Sequence, residues 1–110
     1  MKINFLKFTK VKNTKCDLIF FNKIKSNIKN FERVFFLIAK EKCIRGNHAH
    51  KKCSQFFISL KDTIKMELDD GKKKKQIQLK PGHIIKIKPL IWVKVYLKKN
   101  QIVCVLCDKK

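Results

Sequence analysis

The sequence is poor in the residues that mark non-globular chains. Its 110 residues include 3 glycines and 2 prolines, which excludes collagen-like, glycine-rich and proline-rich classes. No stretch approaches the roughly 18 consecutive apolar residues of a transmembrane helix. Residues 1–10 alternate apolar and polar side chains, whereas a signal peptide has an apolar core. The sequence therefore predicts no membrane span and no secretory signal.

Acidic residues are also scarce, because 8 Asp and Glu oppose 28 Lys and Arg, for a formal net charge of +20. This excess excludes an acidic tail protein and predicts non-specific attraction to polyanions. A basic face also suits nucleic acid. However, Arg33 and Arg45 are the only arginines, and arginine is the preferred reader of phosphates and bases. A solvated lysine-rich surface is favoured, and a nucleic-acid-binding β-barrel stays an alternative.

The length and the 45% of hydrophobic residues predict one domain, residues 1–110, with a modest core. An odd number of cysteines without a secretory signal predicts free thiols in a reducing cytoplasm. Cys104 and Cys107 form a CxxC pair, but residues i and i+3 of a strand face opposite ways, so they are not expected to share a metal ion. The cysteines are Cys16, Cys43, Cys53, Cys104 and Cys107.

Apolar residues recur with a period of two along most of the chain, which is typical of β-strands. Turns are predicted at Asp69-Asp70-Gly71, at Pro81-Gly82 and across residues 98–100. A helix is conceivable only around residues 22–30. The pattern predicts an all-β sandwich or barrel. The predicted strands cover residues 3–8, 16–21, 33–39, 55–60, 63–68, 76–79, 84–88, 92–97 and 101–107.

One segment, Arg45-Gly-Asn-His-Ala-His50, carries residues suited to chemistry. His48 and His50 are two apart, so on a strand both imidazoles point into one cavity. The residues alone leave three interpretations open: a metal site, acid–base catalysis, or two histidines without a function. A metal site would draw on His83, but Gln55 is a poor ligand where a carboxylate would be expected.

Several motifs, in this order and spacing, resemble the sugar 3,4-ketoisomerase family of cupins, the WxcM-like or FdtA-like proteins. The resemblance covers almost the whole chain. It implies a cupin jelly roll, a strand-exchanged homodimer, and metal-free movement of a keto group between C4 and C3 of dTDP-4-keto-6-deoxy-glucose, without a cofactor, in the synthesis of surface glycans. The motifs are Arg33-Val-Phe-Phe, Arg45-Gly-Asn-His-Ala-His-Lys-Lys, Gln55, Leu68-Asp-Asp-Gly71 and Pro89-Leu-Ile-Trp92.

The resemblance also implies roles for single residues. His50 is expected to take the C3 proton, because a base with a pKa near neutrality suits that step. His48 would shuttle the proton or orient its neighbour. Arg45 would hold the diphosphate with its rigid fork, and Lys51 is a second candidate for that charge. The remaining residues expected to bind substrate are Arg33, Gln55 and Trp92, the last of them near the mouth of the cavity.

The sequence departs from the family pattern at one chemically important place. The family has a tyrosine pair where this chain has Phe35 and Phe36, and phenylalanine cannot assist proton transfer. Three outcomes follow. The chain is an isomerase that uses water or Tyr96 as the missing hydroxyl, it acts on another nucleotide sugar, or it binds a nucleotide sugar without turnover.

Overall fold

A computed structural model describes residues 1, 3–7, 9–12, 15, 18–20 and 31–109. These residues form antiparallel strands joined by turns, and they contain no helix long and apolar enough to cross a membrane. The strands are β1 (Asn4–Lys7), β2 (Thr9–Val11), β3 (Leu18–Phe20), β4 (Arg33–Ile38), β5 (Cys43–His48), β6 (Gln55–Ser59), β7 (Ile64–Asp69), β8 (Lys74–Leu79), β9 (His83–Ile87), β10 (Trp92–Leu97) and β11 (Ile102–Cys107).

Two sheets enclose the main core. One has the strand order β1-β9-β6-β11-β4, the other has the order β5-β10-β7-β8, and β2 pairs separately with β3. Alternate residues of facing strands, such as Phe57, Met66, Val95 and Val105, fill the space between the sheets and are almost fully buried. Each such side chain stabilises the fold by roughly 1.5–3 kcal/mol relative to leaving it in water.

The five-stranded sheet is apolar on its outer face too. Phe56, Ile58, Ile84 and Leu106 form a second buried cluster there, against which Phe31 packs. Strand β6 is therefore buried on both faces, and all five of its residues are buried. This explains its nearly continuous apolar sequence, because a strand covered on both sides loses the usual alternation.

The predicted all-β fold is confirmed, and most predicted strands match an observed one. Strand β5 was absent from the predicted set because its sequence, with Gly46 and Asn47, does not alternate. Strand β8 begins at Lys74, two residues before the predicted start at residue 76. The predicted helix around residues 22–30 lies outside the described residues, as do Phe8, Cys16 and Phe21 at the predicted strand ends.

The predicted turns are confirmed. At the β7–β8 turn, the Asp69 carboxylate accepts a hydrogen bond from the Gly71 N–H, and Gly71 takes the positive φ of 92° that glycine tolerates. The Asp70 carboxylate accepts hydrogen bonds from the N–H groups of Lys72 and Lys73. These backbone hydrogen bonds hold the pKa of Asp70 below its usual range.

Candidate functional site

A cavity of about 330 Å³ lies between the two large sheets, within the size range of small-molecule sites. Its basic side chains are those of Arg33, Arg45 and Lys109, together with the imidazoles of His48 and His50. No Asp or Glu stands among the described residues that line it. The cavity therefore favours an anionic ligand or a reaction in which negative charge develops.

A β-bulge in β5 sets the direction of two of these side chains. Arg45 pairs with Val95, and His48 pairs with Val93. The two partners are three residues apart on β5 but only two apart on β10, so β5 contains one extra residue and the register shifts between Val93 and Lys94. Val93 and Val95 both point into the core. Because paired residues share a face, Arg45 and His48 both point inward, although residues three apart on a regular strand would not.

Gly46 is the residue that permits the bulge. Its φ is +86°, and a Cβ atom there would lie 2.8 Å from the carbonyl oxygen of Val93. Asn47 follows with a φ of 56°, a conformation that asparagine tolerates better than most residues. The Gly-Asn pair at this point is the local sequence signal for the bulge.

The two histidines lie together, as the sequence predicts. Their ring centroids are 4.8 Å apart with an interplanar angle of 85°. His48 ends β5, whereas His50 lies just beyond the strand, where its backbone carbonyl accepts a hydrogen bond from the Leu90 N–H at 2.7 Å. Both residues line one cavity, although β5 ends at His48 and does not carry both histidines.

His50 has the features of a general base. Its Nε2 atom is buried and has no hydrogen-bond partner among the residues that the structure describes. Burial lowers the pKa of His50 below its usual range, and the charges of His48 and Arg33 lower it further. The ring is therefore neutral at physiological pH, with an unused nitrogen that a ligand or water can satisfy.

The arginines lie on different walls of the cavity. Arg33 begins β4 and pairs with the inward-facing Cys107, and its guanidinium carbon lies 5.1 Å from the ring centroid of Phe35. This cation–π contact holds the guanidinium over the ring. Phe35 thus occupies the cavity wall, and Arg33 supplies the polar group next to it.

Gln55 forms part of the floor. It is 3% exposed, and its side-chain Nε2 donates a hydrogen bond to the Cys107 Sγ at 3.5 Å. Cys107 faces the main core, whereas Cys104 packs in the outer cluster, so the predicted opposite orientation of the CxxC pair is confirmed. Lys109 also lines the cavity. No sequence pattern pointed to it, since it is one lysine among many.

Two residues predicted to bind substrate lie elsewhere. Trp92 faces the outer side of the four-stranded sheet, because it alternates with the buried Val93, and its Nε1 donates a hydrogen bond to the Asn47 Oδ1 at 3.0 Å. Lys51 is exposed and borders a separate depression beside His50. The structure therefore does not bring Trp92 or Lys51 to the wall of the main cavity.

Tyr96 cannot supply the hydroxyl that the phenylalanines lack. It also alternates with buried β10 residues and faces outward, where its hydroxyl donates a hydrogen bond to Glu67 Oε2 at 3.3 Å. Burial raises the pKa of Tyr96, and the carboxylate of Glu67 raises it further. The hypothesis that Tyr96 assists proton transfer is therefore wrong. Tyr96 is the only tyrosine in the sequence, so no other tyrosine can take its place.

The structure brings no third candidate metal ligand to His48 and His50 from the residues that it describes. His83 closes the predicted turn, because its N–H donates a hydrogen bond to the Lys80 carbonyl, and it also begins β9, whereas Gln55 pairs with Ile87 at the other end of that strand. His83 is therefore remote from the cavity floor. Across the described part of the chain, no group of three or more His, Cys, Asp or Glu side chains could hold a metal ion.

Solved structures of several sugar isomerases share this architecture. WlaRA, a TDP-fucose-3,4-ketoisomerase from Campylobacter jejuni, is 27% identical with a TM-score of 0.81, over 100% of this chain and 84% of that one. A 3,4-ketoisomerase from Helicobacter canadensis is 24% identical with a TM-score of 0.85, over 100% and 85% of the two chains. QdtA from Thermoanaerobacterium thermosaccharolyticum, in complex with TDP, is 23% identical with a TM-score of 0.85, over 98% and 81%.

These likenesses confirm the expected cupin-like fold. No match was found among the curated proteins. The sequence matches the FdtA family, described as WxcM-like, C-terminal, over residues 1–110. The family resemblance noted from the sequence motifs is confirmed: this chain belongs to the WxcM-like, C-terminal family, FdtA.

Proposed function

We propose that the chain, as one cupin domain of residues 1–110, is a dTDP-4-keto-6-deoxy-glucose 3,4-ketoisomerase. The observation that carries this proposal is the His48–His50 pair, with ring centroids 4.8 Å apart, in a cavity lined by two arginines and, among the described residues, by no carboxylate. The solved ketoisomerases of the same fold support the substrate class. Gln55 in place of a carboxylate supports chemistry without a metal ion.

In the first step, His50 Nε2 takes the proton from C3 of the sugar. The electron pair of the C3–H bond forms a double bond between C3 and C4, and the carbonyl pair moves onto O4. A neutral imidazole is needed for this step, and the lowered pKa of His50 provides it. The product of this step is an enediolate.

In the second step, a proton is delivered to C4 and the O3 proton is lost. The double-bond pair then forms the C4–H bond, and a lone pair on O3 forms the new carbonyl at C3. The O3 proton passes to the O4 oxyanion, directly or in exchange with solvent. The proton placed on C4 replaces the one that His50 removed from C3, so atoms and electrons balance without an oxidant. His48 touches His50 and is proposed to orient that ring or to shuttle its proton.

The cationic side chains are proposed to bind the charged parts of the ligand. Arg33 lines the same cavity as His50, and it is proposed to stabilise the enediolate oxygen with its charge. Arg45, on the opposite wall, is proposed to hold the diphosphate through two parallel N–H donors. Gln55 is proposed to orient a sugar hydroxyl from the floor. Lys51 binding at the diphosphate and Trp92 binding substrate stay predictions.

A second candidate, a nucleotide-sugar-binding protein without turnover, is favoured by a specific observation. Phe35 lines the cavity where the family carries a tyrosine, and the only tyrosine of the chain faces the outer side of a sheet. In the isomerase, an ordered water molecule would have to replace the missing hydroxyl. The two candidates share a ligand and differ in proton exchange at C3.

The deciding experiment follows dTDP-4-keto-6-deoxy-glucose by proton NMR in D₂O with EDTA-treated protein. The isomerase exchanges the C3 hydrogen of the 4-keto substrate for deuterium through the reversible first step and forms a 3-keto product with deuterium at C4, and His50→Asn abolishes both. Binding of the ligand without deuterium exchange would leave the non-catalytic candidate. Failure of the sugar nucleotide to bind at all would reject both.

We also propose a homodimer in the cytoplasm. The outward residues of β4 and a neighbour on β11 expose large apolar side chains, namely Val34 (53%), Phe36 (58%), Ile38 (65%) and Ile102 (46%). A second copy of the chain would cover this strip, and β4 is an edge strand of its sheet among the described residues. The cysteines Cys43, Cys53, Cys104 and Cys107 carry free thiols, which supports a reducing compartment.

A further inference from the structure

A hydrogen bond on the outer face of the four-stranded sheet lies directly behind the histidine cavity. Trp92 Nε1 donates to the Oδ1 of Asn47 at 3.0 Å. Asn47 is the extra residue of the β5 bulge, and Trp92 immediately precedes Val93, where the register shifts. Neither residue lines the cavity. The bond therefore joins the two strands at the point where the alternation of β5 is interrupted.

The bulge determines which side of the sheet His48 faces. With the extra residue, Arg45 and His48 pair with Val95 and Val93 and both point inward. In a regular ladder, residues three apart point to opposite faces, so His48 would turn outward while Arg45 stayed inside. The close contact between the two imidazoles, with centroids 4.8 Å apart, would then be lost. The position of a cavity residue thus depends on a backbone irregularity next to it.

Two features of Asn47 favour the bulged register. Its φ of 56° suits asparagine, and its side-chain oxygen is engaged by a donor from the neighbouring strand. The backbone pairing of Trp92 with Asp69 in β7 keeps the Trp92 side chain on the outer face, where the indole N–H can reach Asn47. The hydrogen bond is available only when Asn47 occupies the outward position that the bulge gives it.

We propose that Asn47 and Trp92 are positioning residues, whose hydrogen bond selects the bulged register of β5 and thereby aims His48 into the cavity beside His50. The effect on turnover rests on the proposed function, whereas the effect on ring position does not. Trp92 thus acts from the sheet face opposite the substrate. This role differs from the substrate contact that the sequence predicts for it.

Two variants remove the hydrogen bond in different ways. Trp92→Phe keeps an aromatic ring and removes the N–H donor. Asn47→Gly keeps the backbone freedom at a positive φ and removes the acceptor, and Asn47→Asp retains an acceptor oxygen. Tyr96→Phe is the matched control, because it removes a hydrogen bond on the same strand and face, to Glu67, away from the bulge.

Two readouts are measured in each protein: kcat for the keto-sugar, and the nuclear Overhauser contact between the rings of His48 and His50. We expect Trp92→Phe and Asn47→Gly to lower kcat roughly three- to tenfold, as for one lost hydrogen bond, and to weaken the ring contact. The double variant should lose no more than either single variant. Asn47→Asp should restore most of the ring contact, and Tyr96→Phe should change neither readout.

The outcomes separate this inference from the proposed function. If the unmodified protein does not convert the sugar, the proposed function fails, and the ring contact still decides the positioning role. Loss of that ring contact in Trp92→Phe, with the contact kept in Tyr96→Phe, supports the positioning role. Equal ring contacts and equal kcat in Trp92→Phe and Tyr96→Phe would overturn it, as would additive losses in the double variant.

Discussion

Replacing Gly46 by alanine tests whether the bulge of β5 builds the site. A Cβ atom at this position meets the backbone oxygen of Val93 at 2.8 Å, and the φ of +86° is unfavourable for any L side chain. The matched control is Gly71→Ala. Gly71 has a similar φ of +92°, but nothing lies within 4 Å of its Cβ position. The pair separates the backbone conformation from the close contact.

The expected loss of stability in each variant follows from the backbone conformation and, at Gly46, from the close contact. The left-handed conformation costs an L residue about 1–2 kcal/mol, which applies to both variants. The contact with Val93 adds roughly 1–3 kcal/mol at Gly46, since forcing extra atoms into a packed region shifts the backbone. For a domain of this size the difference corresponds to about 5–15 °C in Tm.

The assays are thermal unfolding and deuterium exchange at C3 of the keto-sugar. Relief of the contact moves the β5 segment that carries Arg45 and His48, and a displacement near 1 Å in an active site costs about a hundredfold in rate. Gly46→Ala should therefore lose most of its activity, and Gly71→Ala should keep it. Equal Tm and equal activity in the two variants would refute the account of the bulge.

Three further predictions concern charge and association. The acid limb of the kcat/KM profile should lie below the ordinary histidine pKa of about 6.5, because His50 is an active base only when neutral and its pKa is lowered. Arg33→Gln should move this limb to higher pH, because it removes a positive charge that lowers the His50 pKa. An unmoved limb would mean that the charge of Arg33 does not act on His50. In calorimetry, Arg45→Lys should weaken dTDP binding about tenfold, and Lys51→Ala should weaken it much less. The unmodified protein should keep part of its dTDP affinity at high salt. Loss of all binding at high salt would indicate a general polyanion binder. Ile38→Lys should shift sedimentation from dimer to monomer. Ile44→Lys should not, although Ile44 is also exposed, at 56% against 65% for Ile38, because it lies on the other sheet. Equal sedimentation of the two variants would contradict the apolar strip as the interface.

The sequence allowed the strands and turns to be predicted because local chemistry determines them. Asp70-Gly71 marks a hairpin, and the strict alternation of Ile64, Met66 and Leu68 marks a strand with one buried face. The alternation also carried the signal for Trp92, since the residues that share its parity on β10 include Lys94, which marks the outward face. Assigning Trp92 to the cavity mouth overlooked that parity.

The geometry of the site could not be predicted to the same degree. The spacing of the histidines indicated a shared cavity, but β5 ends at His48, and the inward direction of His48 beside Arg45 depends on a bulge that shifts the register by one residue. The contact between Arg33 and Phe35 joins side chains on one strand, so the sequence permits it, whereas the charge of Arg33 on His50 arises from tertiary packing. Such placements depend on the register between strands, which local patterns do not determine.

The double burial of β6 has a consequence for how the cavity responds to ligands. Gln55, on the floor, begins a strand that is central in its sheet and buried on both faces, whereas β5 is an edge strand in the described part of the chain, with mostly exposed residues. The opening free energy of β6 should approach that of global unfolding, and that of β5 should be far lower. The site thus joins a rigid floor to a compliant wall, and a bound ligand should slow amide hydrogen exchange in β5 while leaving β6 unchanged.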